Sequence, residues 1–105
     1  MREIEKAVLE TLQDKSKENP LTRTELRQIV GAKDRTARML IESLRSQGFR
    51  VCSSANRKGY WMAEDEEDYK AFRREYGSKS NTIQKNIKAM DAYTEGQEEI
   101  RYEEQ

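Results

Sequence analysis

The most constraining feature of the sequence is a short break, Gly31-Ala32-Lys33, between two segments that each keep a helical apolar period. Before it, Leu26, Ile29 and Val30 recur at the steps of one helix face. After it, Ala37, Leu40, Ile41 and Leu44 do the same within a helix expected over Arg35–Gln47. Glycine enters left-handed backbone at no steric cost, so Gly31 is a natural stop for the first of these helices. Asp34 can cap the second, and Gly48 ends it. Two helices joined by so short a turn must cross sharply and share one core, which is the helix-turn-helix arrangement. A plain helical hairpin has the same spacing and stands as the alternative at this level.

The flanking segments choose between them. Ile4, Val8 and Leu12 give residues 2–15 an amphipathic period, closed by the polar stretch Lys15–Pro20. Thr22 and Glu25 have the spacing of a capping box, in which each side chain takes up a free amide of the next helix start. Beyond Gly48, Phe49–Ser53 alternates apolar and polar residues as a half-buried strand does. Ser54–Gly59 is a turn cluster, and Tyr60-Trp61-Met62 reads as a second strand. The expected fold is therefore α+β and mainly α: a winged helix-turn-helix of three helices plus a two-stranded wing, followed by a C-terminal helical extension. Tyr60 and Trp61 cannot face the same side of one strand, so one of them is expected to meet the segment that follows.

Residues 21–63 carry L-T-R-x-E-L before the turn, D-R-x-A-R-x-x-I-x-x-L-R-x-x-G through the third helix, and C-S-S followed by K-G-Y-W in the hairpin. In these features the chain resembles small winged-helix DNA-binding domains of the biotin-repressor-like kind. It is most similar to the stand-alone versions encoded by bacteriophages and prophage regions of Gram-positive bacteria. The resemblance spans about 43 residues and implies a fold more firmly than a role, because winged helices also serve as protein-binding modules.

A net charge of zero hides an asymmetry. Residues 1–62 hold 13 Lys/Arg against 8 Asp/Glu, whereas residues 63–105 hold 7 against 12. The segment 33–58 alone carries seven cations and two acids. Such a split suggests a basic working surface joined to an acidic segment of different duty. In a helix-turn-helix the second helix lays its N-terminal residues on base edges in the major groove. The base-reading candidates are Arg35, Thr36, Arg38 and Met39: arginine forks onto guanine, and Thr or Met touches a thymine methyl. Glu42, at i+4 from Arg38, is expected to restrain that arginine. Backbone contacts are assigned to Thr22 and Arg23 at a helix start, Lys33 in the turn, Arg45, and Asn56, Arg57 and Lys58 at the wing tip.

Catalytic chemistry finds little material. The chain has no histidine and one cysteine, Cys52, which excludes imidazole acid–base catalysis, a disulfide framework and a multi-thiolate metal site. Cys52 lies in a strand and reads as a small core residue. No enzyme activity, cofactor, metal or small-molecule substrate is expected. No apolar run approaches a membrane span and no leader pattern opens the chain, so the expected setting is cytoplasmic, without membrane contact.

The remainder is read as an appendage, with residues 1–63 the DNA-binding domain, 64–93 a helical extension and 94–105 an acidic, disordered tail. The acids Glu64–Asp68 suit a helix N-terminus. Tyr69, Phe72 and Tyr76, then Ile83, Ile87 and Met90, form a stripe that continues through Gly77. One kinked helix over about 65–93 is favoured, against two helices meeting at Gly77. A domain complete by Met62 leaves Ile83, Ile87 and Met90 for a second copy to cover, hence a homodimer on a palindromic site. A helix folding back on its own domain is the alternative. The expected function is a sequence-specific double-stranded DNA-binding protein, a phage-type transcriptional or replication regulator. The rival is a winged-helix protein–protein interaction module.

Overall fold

The computed structural model describes residues 2–31, 33–54, 57–77 and 81–92, with Arg57 and Lys58 described in their backbone. It is α+β and mainly helical, with α1 (Glu3–Gln13), α2 (Arg23–Val30), α3 (Asp34–Ser46), β1 (Val51–Ser54), β2 (Arg57–Met62), α4 (Glu66–Tyr76) and α5 (Asn81–Asp91). This order and the two-stranded antiparallel sheet are compatible with a winged helix. No described helix is long and apolar enough to cross a membrane.

Local chemistry explains the helix ends. Thr22 Oγ1 accepts from the Glu25 amide at 3.1 Å and Glu25 Oε1 accepts from the Thr22 amide at 3.0 Å, so the expected capping box is formed. Gly31 takes φ 68° and its amide donates to the Arg27 carbonyl at 2.7 Å. A side chain there would meet open space but strained backbone, which is why glycine closes α2. Asp34 does not cap α3. Lys33 holds the extended cap position and Asp34 is the first helical residue, where a carboxylate still favours the positive helix end.

The first core gathers Val8, Leu9 and Leu12 of α1, Leu26 of α2, Ala37, Leu40, Ile41 and Leu44 of α3, and Phe49 and Val51. The strands pair Val51 with Met62, Cys52 with Trp61 and Ser53 with Tyr60. Leu21 adds a bridge to Tyr60, its amide donating to the Tyr60 carbonyl at 2.8 Å. Strand alternation then sends Val51, Tyr60 and Met62 to that first core and Cys52 and Trp61 to the opposite face. On that face Cys52 and Trp61 join Tyr69, Phe72 and Met90 in a second core. Trp61 is thus the aromatic that meets the following segment, and its Nε1 donates to buried Asp68 at 2.9 Å.

The C-terminal segment departs from the expectation in two ways. It forms two helices rather than one kinked helix: α4 ends at Tyr76, Gly77 leaves helical backbone, and α5 starts at Asn81. It also turns back instead of projecting. The hairpin has a second apolar face that the three-helix core leaves bare, and α4 and α5 cover it, with α5 lying against α3. Ile87 is 5% exposed, Met90 is fully buried and Ile83 is half-buried, all within one chain, so this stripe is not free for a second copy. The expected disordered tail, 94–105, lies outside the described residues.

Candidate nucleic-acid interface

The basic surface is built from the starts of α2 and α3 and the turn between them. Thr22 and Arg23 open α2 in full exposure, and Arg27 follows one turn later. Lys33 stands exposed in extended backbone ahead of α3. The apolar stripe of α3 faces the first core, which turns Arg35, Thr36, Arg38 and Met39 outward. Met39 is 63% exposed and is the exposed large apolar side chain among the described residues. Arg23, Arg27, Lys33, Arg35 and Arg38 form no ion pair among the described residues. Five exposed cations and one uncovered methionine on these two helices and the approach to α3 favour an anion bearing apolar edges. Arg27 is an addition to the sequence reading. Its signal was its place at i+4 from Arg23, on the same face of α2.

Arg45 does not belong to this surface. It is 3% exposed. Its Nε donates to the Val51 carbonyl at 2.8 Å, Nη1 to Glu42 at 2.8 Å and Nη2 to Ser53 Oγ at 3.2 Å. Its guanidinium also lies 4.7 Å from the Phe72 ring centre and 4.6 Å from that of Tyr76. No phosphate can reach a group enclosed in this way. Arg50, counted in the basic segment, is likewise 8% exposed, donating to the Met90 carbonyl at 2.9 Å and to Glu66. The excess of charge in 33–58 therefore overstates what solvent meets.

Glu42 is also reassigned. Instead of restraining Arg38 it accepts from Arg45, from the Tyr76 hydroxyl and from Asn86 Nδ2 at 3.0 Å. The carboxylate anchors the C-terminal half of α3 to both α4 and α5. Burial, and then the hydrogen bond to Glu42, raise the Tyr76 hydroxyl above its ordinary pKa. Asn56 and the side chains of Arg57 and Lys58 lie outside what is described, although Arg57 and Lys58 sit at the start of β2, next to the turn.

Cys52 is fully enclosed, and burial, followed by the nearby Asp68 charge, pushes its thiol up to about 12. A thiol held that far above neutrality is not a nucleophile. Among the described residues no group of three or more acidic or thiol side chains is placed to hold a metal ion. No family model, no curated protein and no solved structure matches this chain.

Proposed function

We propose that this protein is a winged-helix, sequence-specific double-stranded DNA-binding protein, a regulator of transcription or replication of the phage type, whose activity is binding without a reaction. The observation that carries the reading is that Arg23, Arg27, Lys33, Arg35, Arg38 and Met39 are all exposed on α2, on α3 or just before it, the five cations without an acidic partner among the described residues. In this reading Arg35 and Arg38 fork onto guanine edges, and Thr36 and Met39 contact thymine methyl groups. Arg23 and Lys33, with the amide-rich start of α2 at Thr22, hold phosphates on either side of the groove. Asn56, Arg57 and Lys58 are the assigned contacts to the adjacent backbone in this reading. Arg45 has no part in it.

Ile87 and Met90 are covered within the chain, so a pairing of two copies on a palindromic site would use another surface. Selection of bound duplexes from a random pool tests the proposal. The expected result is one enriched motif of a single half-site's length. Absence of any enriched motif, with no salt-dependent affinity for duplex, would overturn it. The same protein instead retaining a protein partner through Met39 would favour the interaction-module reading, because an exposed methionine also suits an apolar contact.

A further inference from the structure

We infer that Gly59 is the positioning residue of the hairpin: it lets β2 press against the chain just before α2, so that the backbone contacts assigned to the hairpin and to the start of α2 act as one phosphate-contacting edge. The inference rests on the DNA-binding reading above. Three observations lead there. The first is contact. The Leu21 amide donates to the Tyr60 carbonyl at 2.8 Å, and the Tyr60 amide donates to the Leu21 carbonyl at 2.9 Å. Tyr60 is therefore paired on one side with Ser53 of β1 and on the other with Leu21. Thr22, the cap of α2, directly follows Leu21, and Lys58 lies two residues before Tyr60. Main-chain hydrogen bonds thus fix the start of β2 beside the start of α2.

The second observation is space. A Cβ on Gly59 would stand 2.4 Å from the Leu21 carbonyl oxygen, 2.9 Å from the Leu21 carbonyl carbon and 3.0 Å from Pro20 Cβ. The two nearest are main-chain atoms of the bridge itself, so no side-chain rotation relieves the clash. Gly59 also takes φ 156°, a backbone that strains any residue with a side chain. Glycine within a strand marks such a close approach of two backbones. The third observation is register. Ser53 pairs with Tyr60 but Ser54 pairs with Arg57, so Lys58 and Gly59 are extra residues on β2. A bulge bends its strand and re-aims the residues beside it. Here the bend falls between the Leu21 bridge and Arg57, so the direction of the hairpin's outer part is set at Gly59. Phosphate contacts fix a protein's register on the duplex, and a hairpin held in this way keeps its cations at a set distance from Thr22 and Arg23.

The test is the salt dependence of binding of the full chain to a mixed-sequence duplex of about three helical turns. Arg57→Ala with Lys58→Ala should reduce the slope of log affinity against log salt by about 1.8, since each phosphate contact contributes roughly 0.9. Gly59→Ala keeps both cations yet should show the same loss, and the motif selected from a random pool should stay the same. Combining all three changes should still cost about 1.8, because the cations of a displaced hairpin no longer contribute. A combined loss of about 3.6 overturns the inference, since Gly59 would then act apart from the hairpin contacts. A wild-type slope in folded Gly59→Ala overturns it as well. If Gly59→Ala does not fold, the α-hydroxy acid analogue of Tyr60 replaces the amide N–H by an ester oxygen and removes the bond to Leu21 without adding bulk. That variant should lose about 0.9 of slope, and a wild-type slope there overturns the inference. An unchanged slope on removing Arg57 and Lys58 overturns it too, while wild-type binding upholds the DNA reading. A wild-type protein without affinity for any duplex removes both ideas together.

Discussion

Arg38 and Arg45 stand two turns apart on one helix and point in nearly the same direction, yet they live in different environments. Arg38 is exposed and makes no ion pair among the described residues, whereas Arg45 is 3% exposed, with three hydrogen-bond partners and two aromatic rings against it. The helix itself does not distinguish them. The difference comes from what is laid over α3: α4 and β1 close on its C-terminal half, and α5 is fastened to the same half at Glu42. The N-terminal half is left bare. One arginine is thereby a structural bolt, and the other is a free fork.

Stability measurements give the sharpest test of that contrast. Arg45→Ala should lower folding stability by about 3 kcal/mol in denaturant titration, since it strips hydrogen bonds from Val51 and Ser53 and leaves the half-exposed Glu42 without its cation. Arg38→Ala should change stability by no more than about 0.5 kcal/mol, as surface substitutions do. Equal losses in the two variants would break the comparison.

Binding should reverse the ranking. Arg38→Ala is expected to weaken the preferred duplex by about 1–3 kcal/mol, with little change on mixed sequence, so that the specificity ratio falls. A uniform loss on every duplex would instead make Arg38 a phosphate contact.

Acid should loosen the covered half by a smaller amount. Glu5 and Asp91 are both held below their ordinary carboxylate values. Burial alone would raise them. For Glu5 the hydrogen bonds from Ser43, the Arg2 amide and Gln47 outweigh it, and for Asp91 those from Arg73 and Tyr69 do so. A carboxylate with a depressed native pKa binds fewer protons folded than unfolded, so its stabilisation is present above the unfolded value and fades as pH falls through the native one. Stability should therefore decline below the usual carboxylate range, by roughly 1 kcal/mol, more of it from buried Glu5 than from exposed Asp91, whose ties solvent screens. Glu5→Gln together with Asp91→Asn should flatten that part of the pH profile; an unaltered profile would assign it elsewhere.

The turn at Gly31, the capping box of Thr22 and Glu25, the inward stripe of α3 and the alternation of the strands were all legible in the chain. Each is a local rule: a glycine where φ is positive, a hydroxyl three residues before a carboxylate, a period of 3.6 or 2. From the same rules Arg35, Thr36, Arg38 and Met39 could be placed on an outward face. Periodicity also showed that Tyr69, Phe72, Ile87 and Met90 needed cover, but it carries no information on which surface supplies it. The tertiary structure decided that. A hairpin has two faces, the three-helix core uses one, and the nearest apolar stripe able to fold onto the other belongs to the same chain. That choice buried Arg45 and Arg50 and tied Glu42 to α4 and α5. Side-chain direction is set within a helix turn, whereas burial is set by long-range packing, and only the packing separates a cation left exposed from one that braces.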